Sequence, residues 1–293
     1  MIWVYTVTES NELQAKDASS VQELQNLSKE VDWFWADFMD PTNEEFEVIT
    51  GLLGRAEVIK DIKDQKTFSR PERVDQYLFF SVPYPVFKDK LETLPMYVFM
   101  KEGMFLTVRD KNSSSFVKNA VKTFEDCVGK VCEGPINSSF ILGRLFHEIS
   151  NANLDVIMTL RESIDRTEQR ALENPADKKI SHYIFAIKRS VSALERVLWS
   201  QRELMLSIKE GVVPMIQTSQ EIRETLNHPI NNISRELSLL DSHNGALDSI
   251  LNLQDLGLIH RVERNIIYLT IMALVVSVLL ILLEIDIISL LTR

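Results

Sequence analysis

Basic residues and cysteines are scarce in this sequence. Its 293 residues contain 32 Lys and Arg against 42 Asp and Glu, which gives a formal net charge of -10. Proteins that bind nucleic acids carry basic patches for the phosphates, so we expect no nucleic-acid partner. The two cysteines, Cys127 and Cys132, have a C-x4-C spacing without a nearby histidine pair, which is poor for zinc. We interpret them as free thiols on the cytoplasmic side.

Motifs of enzymes and of exported proteins are also missing. The sequence contains no glycine-rich phosphate loop, no H-E-x-x-H pair and no nucleophile elbow, and its 5 histidines are scattered. We therefore expect neither an enzymatic activity nor a bound cofactor. The N-terminus, MIWVYTVTESNELQ, lacks the basic segment and the long apolar core of a signal peptide, and it lacks the arginines of a mitochondrial presequence.

Long apolar runs are limited to one, near the C-terminal end. No residue from 265 to 283 is charged. A helix of that length rises about 28 Å, which is close to the ~30 Å hydrocarbon core of a bilayer. We predict a transmembrane helix at 265–285 and a short external tail at 286–293, with the large N-terminal part in the cytoplasm because Arg261 and Arg264 precede the span. The run is either a membrane anchor or one wall of a pore.

The pattern of residues 1–145 predicts a mixed α/β cytoplasmic domain. Runs rich in aromatic and β-branched residues predict strands. These runs are IWVYTV (2–7), DWFWADF (32–38), DQYLFFSV (75–82), MYVFM (96–100) and MFLTVRD (104–110), the last two forming a hairpin around Lys101–Gly103. Thr42 followed by Glu45 is a capping-box pattern that predicts a helix over 40–53, and a second helix is predicted over 113–126.

Residues 146–264 are predicted to form three helical arms of a stalk region. ENPAD (173–177) and GVVP (211–214) separate the arms, because proline cannot continue a helix. Each arm carries apolar residues at spacings of three and four, which is typical of a helix with one buried face. The positions are Leu154, Ile157, Ile164 and Ala171, then Ile180, Ile184, Ile187, Val191, Leu194, Leu198, Met205 and Ile208, then Ile222, Leu226, Ile233, Leu237, Leu240, Leu247 and Ile250. The arms form either a plain helical bundle or a stalk whose last helix continues into the span.

Several segments resemble, in the same order, the CorA family of divalent-cation transporters. WFWADFMDPTNEEFEVITGLLGRAEVIKDI (33–62) is similar to the family's tryptophan-containing strand, its D-x-x-x-P helix start and the acidic helix that follows. SRPERVDQYLFF (69–80) is similar to a later family strand. Residues 173–205 contain the family's proline turn and its K-R…W-x-x-R-E pattern, and YLT (268–270) lies where the family has V-L-T at the start of its first transmembrane helix. The resemblance covers nearly the whole chain.

This resemblance implies a homopentameric funnel in a prokaryotic plasma membrane. The α/β domain would lead into a long stalk helix that enters the membrane as the pore-lining helix. The transported and regulatory ion would be Mg2+, with Co2+, Ni2+ or Zn2+ as further substrates, and membrane lipid would be the other partner. The sequence departs from the family pattern at Ile287-Ile288-Ser289, where the Gly-Met-Asn signature is expected, and it contains no second apolar run for the family's outer helix.

Four polar residues recur every seven positions through the apolar run: Glu263, Thr270, Ser277 and Glu284. Seven residues are two helical turns, so these side chains share one face with a drift of ~20° per repeat. In the implied pentamer they would form stacked rings along a cation pathway, and rings of Leu274 and Ile281 would form an apolar gate. Alternatively, the hydroxyls are packing groups bonded to their own backbone, and the two glutamates lie in water at the ends of the span.

The resemblance also implies a regulatory magnesium site between neighbouring subunits. In the family, an aspartate of the acidic helix faces an acid on the neighbour's stalk, and such oxygen ligands suit Mg2+. The matching positions are Asp61, with Asp64 one turn on, and Glu224 in IRETLNHP (222–229). On the residues alone, these three are equally consistent with ordinary solvated surface acids.

Two functional hypotheses follow. In the first, the chain is a subunit of a CorA-like oligomer that transports divalent cations through a central pore. In the second, it is a non-conducting relative whose single span is an anchor and whose cytoplasmic part acts as a cation sensor or a partner subunit. The two hypotheses differ in whether the pure protein in liposomes carries an ion flux.

Overall fold

The computed structural model describes residues 2–7, 13–17, 20–54, 56–67, 70–74, 76–88, 90–128, 138–175, 177–213, 216 and 220–291. Cys132, the side chain of Cys127 and all side chains beyond Ile281, including that of Glu284, lie outside this description, so the prediction of free thiols stays a prediction. The chain divides into two compact units, which we describe in turn. Their limits are Met1–Leu160 with Ser190–Asp241 for the first, and Arg161–Arg189 with Ser242–Arg293 for the second.

A seven-stranded mixed sheet forms the centre of the first unit. Its strands are β1 (Ile2–Val7), β2 (Leu13–Asp17), β3 (Phe34–Met39), β4 (Glu72–Val74), β5 (Tyr77–Phe87), β6 (Leu91–Lys101) and β7 (Met104–Arg109). They lie in the order β2-β1-β3-β7-β6-β5-β4, with β3 and β7 parallel and the other neighbouring pairs antiparallel. The predicted α/β fold and its strands are confirmed, and β2 and β4 are edge strands that the sequence patterns do not indicate.

The hairpin between β6 and β7 turns at the predicted residues. Gly103 has a φ of +72°, and a Cβ atom there would lie 2.8 Å from the carbonyl oxygen of Asp32. Glycine suits this position because an L side chain disfavours the left-handed conformation and would also collide with the backbone. The Gly103 carbonyl accepts a hydrogen bond from the Phe34 amide at 3.1 Å, which ties the turn to β3.

Helices cover both faces of the sheet. They are α1 (Val21–Glu30), α2 (Asn43–Leu53), α3 (Ala56–Lys63) and α4 (Ser114–Val128). The first three contribute buried residues to one apolar cluster that includes Phe79 of β5. In contrast, Phe116 of α4 packs on Tyr84 of β5 with 5.2 Å between the ring centroids. Because Phe79 and Tyr84 are five residues apart on one strand, they point to opposite faces, and α4 therefore covers the other side.

The predicted capping box opens α2. The Glu45 amide donates to the Thr42 hydroxyl at 3.3 Å, and the Thr42 amide donates to the Glu45 carboxylate at 2.8 Å. Each contact satisfies a backbone N–H that the first helical turn leaves without a partner. The sequence signature therefore fixes where α2 begins, directly after the end of β3.

A buried ion pair lies on the face of the sheet that α4 covers. Asp37 of β3 is 0 % exposed, and its carboxylate accepts from Arg109 Nη2 at 2.7 Å and from Arg109 Nε at 2.9 Å. The Thr107 hydroxyl donates to the same carboxylate at 2.6 Å, and Trp35 Nε1 donates to Thr107 at 2.9 Å. Buried charges are tolerated where they are paired and hydrogen-bonded in this way.

Three long helices follow the sheet: α5 (Ser138–Glu173), α6 (Lys178–Lys209) and α7 (Gln220–Leu291). The predicted interruptions at 173–177 and 211–214 lie at the two junctions between these helices, as expected from their prolines. α5 begins before the predicted arm. The predicted domain limits at residues 145 and 264 fall inside α5 and α7.

The predicted apolar stripes of the three arms are largely buried, with one error at Leu154. Leu154 is 43 % exposed, whereas its neighbour Asn153 is fully buried. Asn153 Nδ2 donates to Gln201 Oε1 at 2.7 Å, and Gln201 Nε2 donates to the Pro83 carbonyl at 2.7 Å. A polar side chain with a partner on α6 takes the inner position of α5, and Leu154 is turned outward as a result.

In the second unit, α7 packs against the turn between α5 and α6. Gln254 is buried, accepts from the Ser181 hydroxyl at 2.9 Å and donates to the Asp177 carbonyl at 3.0 Å. At Gly257 the approach is closer still, since a Cβ atom there would lie 2.2 Å from the Cβ atom of Pro175. A residue without a side chain is therefore needed where α7 passes this turn.

Candidate functional site

The last part of α7 is an apolar helix without a covering layer. Every residue from Ile259 to Ile281 is exposed in the chain. α7 is the one helix in the described ranges that is long and apolar enough to cross a membrane, and its most apolar window has a mean hydropathy of 2.2 with 0 % of it buried. Soluble proteins rarely expose apolar surfaces of this extent. The exposed residues 265–281 make up most of the span predicted at 265–285.

The polar residues of the predicted pore face lie along this uncovered segment. Thr270 Oγ1 donates to the Ile266 carbonyl at 2.8 Å, and Ser277 Oγ donates to the Ala273 carbonyl at 2.9 Å. Both hydroxyls are therefore bonded to their own helix, as in the second of the two sequence interpretations. Each hydroxyl oxygen keeps lone pairs that can still accept hydrogen bonds.

The glutamates of the predicted pore face and the residues of the predicted gate differ in their contacts and exposure. The Glu263 carboxylate lies 3.1 Å from His260 Nδ1, one helical turn away, and both side chains are exposed. Leu274 and Ile281, the predicted gate, are 64 % and 56 % exposed. The backbone of Glu284 is part of α7, and its side chain lies outside the described residues.

The two aspartates of the predicted regulatory site lie at the C-terminal end of α3. Asp61 forms an ion pair with Lys66, and the hydrogen bond from Lys66 to this carboxylate raises the pKa of Lys66. A cation would therefore have to compete with Lys66 for Asp61. Asp64 follows the last residue of α3 and is exposed.

The third predicted ligand, Glu224, is exposed on α7 and accepts from Gln220 Nε2 at 3.2 Å. Within the described ranges, no group of three or more His, Cys, Asp or Glu side chains is arranged to hold a metal ion. One chain by itself thus does not bring Asp61, Asp64 and Glu224 together as a metal centre.

A buried carboxylate in the first unit, that of Glu236, is not among the residues predicted from the sequence to be functional. Glu236 of α7 is 4 % exposed, and its Oε1 atom accepts from the Ser150 hydroxyl of α5 at 3.3 Å. Its Oε2 atom has no hydrogen-bond partner in the described part of the chain. Burial raises the pKa of Glu236 to about 7, against smaller opposing effects that include the Ser150 hydrogen bond. The signal in the sequence is its position between Ile233 and Leu240 on a buried stripe.

Two histidines also meet in the first unit. The rings of His147 on α5 and His228 on α7 lie 5.0 Å apart between centroids, and His228 Nδ1 is 3.3 Å from Asn232 Nδ2. Burial lowers the pKa of His147, so the imidazole is held in its neutral form near pH 7. Two imidazoles supply only half of the four ligands of a structural zinc site.

The fold and the uncovered helix together define a class. An α/β domain leading into long helices, the last of which ends in an exposed apolar segment, is the architecture of an integral membrane protein with large extramembrane units.

Comparison with known proteins identifies the family. The family model for the CorA-like Mg2+ transporter protein matches residues 30–279, and the chain belongs to this family. Among curated proteins, it is similar to the cobalt/magnesium transport protein CorA of Thermotoga maritima, with 26 % identity over 190 residues, which is 56 % of this chain and 53 % of that protein. The chain thus aligns with about half the length of this curated relative.

Solved structures of the family share the fold. The complete CorA magnesium transporter of Methanocaldococcus jannaschii superposes with a TM-score of 0.75 at 17 % identity, covering 93 % of this chain and 82 % of that one. The soluble domain of CorA from the same organism gives a TM-score of 0.65 at 16 % identity, covering 87 % of this chain and 96 % of that one. At these identities the likeness supports the fold alone.

Proposed function

We propose that this chain is a subunit of an oligomeric membrane pathway for divalent cations, with Mg2+ as the main substrate. The observation that carries the proposal is the exposed series Glu263, Thr270 and Ser277 on the otherwise apolar end of α7. In a ring of such helices, most simply a pentamer, the polar face would line the axis and the apolar remainder would contact lipid. Membership of the CorA-like family supports the same function.

The chemistry of this face suits a hydrated ion. Mg2+ gives up its water reluctantly and usually keeps several water molecules. Because the hydroxyls of Thr270 and Ser277 donate to their own helix, their remaining lone pairs would accept hydrogen bonds from the water shell of the ion. A ring of Glu263 carboxylates would concentrate cations at one mouth. A membrane potential of 100 mV, negative inside, would contribute about 5 kcal/mol to the inward passage of a divalent ion.

The proposed orientation places the first unit, and the part of the second unit that precedes the span 265–285, in the cytoplasm of a prokaryotic cell. Arg261 and Arg264 lie directly before the apolar segment, and basic residues favour the cytoplasmic side. Protease added to inside-out vesicles should therefore remove the α/β domain, whereas protease added to right-side-out vesicles should leave it intact.

Magnesium flux into liposomes that contain the pure protein tests the proposal. Ser277→Leu replaces a hydroxyl of the polar face by an apolar group, and we expect the flux to fall at least tenfold. Val276→Leu is the matched control, because Val276 is 53 % exposed and lies about 100° further around the same helix. Glu284→Ala should also reduce the flux, because it removes the acid at the far end of the heptad series. Equal fluxes for Ser277→Leu and Val276→Leu would remove the basis for a pore on this face.

The predicted gate gives a change in the opposite direction. An apolar ring at Leu274 would dewet and hold the pathway closed. Leu274→Asn should therefore raise the resting flux, whereas Leu279→Asn, at a lipid-facing position of similar exposure, should lower the amount of folded protein without raising the flux per molecule.

The arrangement of subunits can be tested by cross-linking. In a background with both native cysteines replaced by serine, Ser277→Cys should form disulfide-linked dimers under oxidation, because residues of one ring approach each other near the axis. Val276→Cys should stay monomeric on denaturing gels. Cross-linking at 276 in preference to 277 would contradict the assignment of the pore face.

The non-conducting alternative has its own expected result. If the intact chain assembles and the Ser277→Cys variant cross-links, yet no flux exceeds that of empty liposomes at low internal Mg2+, the span is an anchor and the cytoplasmic part is a sensor or partner subunit.

We further propose that Asp61, Asp64 and Glu224 contribute to a regulatory cation site that a neighbouring subunit completes. Its support is that these acids match the family positions and do not converge within one chain. Mg2+ bound at this site should protect the native protein against limited proteolysis, and Asp61→Asn should abolish that protection. Lys66→Ala should shift the half-protecting Mg2+ concentration downward, because it removes the base that competes for Asp61. If neither variant changes the Mg2+ concentration that gives half-maximal protection, this assignment is wrong.

A further inference from the structure

A cavity of about 370 Å³ lies in the first unit, and its lining includes Ile62, Lys63 and Gln65 but neither Asp61 nor Asp64 of the proposed regulatory site. Its floor is apolar and includes the buried residues Leu94, Tyr97 and Val108. Its polar lining includes the exposed side chains of Asp40 and Lys63, and Asp110. This size falls at the lower end of the ~300–1,000 Å³ typical of small-molecule sites, and an apolar floor with a few charged groups is their usual composition.

The cavity occupies the place in the sheet where α/β proteins most often bind ligands. β3 and β7 are the parallel pair of the sheet, and both end at this edge, at Met39 and Arg109. The chain leaves β3 towards α2 and α3 on one face, and leaves β7 towards α4 on the other. Where connections diverge to opposite faces in this way, a crevice opens outside the carboxyl ends of the strands.

The backbone around the cavity carries an unusual conformation at two points. Asp40 has a φ of 44° and Gln65 has a φ of 51°, and these are the non-glycine residues with positive φ in the described ranges. Both line the cavity. Non-glycine residues in this region cost free energy and cluster at ligand sites, which makes their shared position here informative.

The charges of the cavity select the kind of ligand. Arg109 also lines it, but its guanidinium is paired with Asp37 through Nε and Nη2 and contributes no free positive charge. Lys63 Nζ is bonded to Asn43 Oδ1 at 3.0 Å. The lining thus has one ammonium, that of Lys63, and two carboxylates, those of Asp40 and Asp110, which gives it a net negative charge.

In each of these carboxylates, the hydrogen bonds from the protein fall on one of the two oxygens. Asp40 Oδ1 accepts from the Lys111 amide at 3.2 Å, and Asp110 Oδ1 accepts from the Asn112 amide at 2.7 Å. The Asn112 side-chain amide also donates to Asp110 Oδ1, so all of these contacts fall on the Oδ1 atoms. A bare Mg2+ ion prefers about six oxygen ligands, which an apolar floor cannot supply, so the free acceptors suit a nitrogen donor better.

We propose that this cavity binds a small organic ammonium compound, with the ammonium group between Asp40 and Asp110 and an apolar body on the floor formed by Leu94, Tyr97 and Val108. Charge-assisted hydrogen bonds hold the head, and burial of the body on apolar side chains supplies the rest of the affinity. The site does not depend on whether the protein conducts ions, and its test is a binding measurement.

Isothermal titration calorimetry of the full chain in lipid nanodiscs tests the proposal with three ligands of one shape. Phenethylamine carries the ammonium, 2-phenylethanol is its neutral counterpart and 3-phenylpropionate is the anion. We expect phenethylamine to bind with a dissociation constant on the order of 1 mM or lower. The alcohol should bind at least tenfold more weakly, and the anion should show no saturable binding.

Two variants locate the binding. Asp40→Asn and Asp110→Asn keep the oxygen that accepts the backbone amide. Asparagine tolerates the positive φ of Asp40 and the N-cap position of Asp110, which precedes the short 3-10 helix Lys111–Ser113. Each should weaken the amine about tenfold, as expected for the loss of one charge-assisted hydrogen bond. Glu44→Gln, an exposed acid of α2 outside the cavity lining, is the matched control and should leave the affinity unchanged.

Three results would overturn the proposal. They are equal binding of the amine and the alcohol, preferential binding of the anion, and full affinity in the double variant Asp40→Asn/Asp110→Asn. An unchanged circular dichroism spectrum and melting temperature of that double variant would show that any loss of binding reflects the site and not the fold.

Discussion

Replacing Glu236 by glutamine should make the stability of the protein less dependent on pH. Glu236 is buried in the first unit, outside the predicted span 265–285, with one carboxylate oxygen on Ser150 and the other without a partner in the described part of the chain. Burial raises its pKa to about 7 from an ordinary value of 4.5. Glutamine has the same shape, stays neutral at every pH and can still accept from Ser150.

The sign and size of the effect follow from the two pKa values. The folded state holds the proton more tightly than the unfolded state, so stability is fully present below pH 4.5 and falls as the pH rises to about 7. The difference between the two pKa values corresponds to about 3 kcal/mol. At pH 5 the two proteins should therefore differ by less than about 1 kcal/mol, because a protonated carboxyl and an amide both place an unpaired donor at the same point in the folded state. At pH 8 the Glu236→Gln variant should be the more stable by up to about 3 kcal/mol.

The assay is thermal or denaturant unfolding of the full chain in detergent at pH 5, 6, 7 and 8, followed by circular dichroism. Taking the difference between the native protein and Glu236→Gln at each pH cancels the titration of every other group. Ser150→Ala is a useful second variant, because it removes a hydrogen bond to the charged form and should steepen the loss of stability above pH 6. A constant difference from pH 5 to pH 8 would show that Glu236 stays ionised in the folded protein, and would refute the reasoning.

Three further changes should affect stability through separate contacts. Asp37→Leu leaves the guanidinium of Arg109 buried without its partner and should lower the free energy of unfolding by about 3–5 kcal/mol, measured by urea denaturation, whereas Asp37→Leu with Arg109→Leu should recover part of that loss. Gly257→Ala introduces a methyl group against the turn between α5 and α6, so it should cost about 1–3 kcal/mol and lower the melting temperature by several degrees. Gly245→Ala is the control on the same helix, because a Cβ atom there has nothing within 4 Å, and it should raise the melting temperature slightly. Similar melting temperatures of the two variants would contradict the close approach at Gly257. Gln201→Leu removes the partner of two buried groups and should cost about 2–3 kcal/mol by denaturant unfolding, and a neutral result would mean that water replaces the side chain.

Local patterns in the sequence account for much of the fold. The capping box of Thr42 and Glu45 predicts where α2 begins because both partners lie within four residues. The hairpin at Gly103 and the breaks between the long helices have equally local causes. In contrast, β2 and β4 are short edge strands whose pairing depends on neighbours far along the chain, and their own residues carry little periodicity.

The candidate sites divide in the same way. The placement of Thr270 and Ser277 on one side of α7 is predictable, because a seven-residue repeat on one helix needs no tertiary information. The buried contacts of Asn153 with Gln201 and of Glu236 with Ser150 are not, because each joins two helices that are far apart in the sequence, and Gln201 also bonds a strand carbonyl. The periodicity of apolar residues predicts that a position is buried. It does not predict whether a polar side chain at that position has a hydrogen-bond partner.

The prolines of β5 also determine what the sheet cannot bind. β4 pairs with β5 only from Tyr77 to Phe79, so the rest of β5 would offer an open edge. Pro83 directs its carbonyl to Gln201 and so faces away from β6, and Pro85, two residues on, shares that direction. Neither can donate a hydrogen bond along this edge. Along this edge a foreign strand would find donors missing at Pro83 and Pro85 and the Pro83 carbonyl already bonded to Gln201, so we expect the residues that interrupt an apolar run in the sequence to disfavour strand addition to the folded sheet.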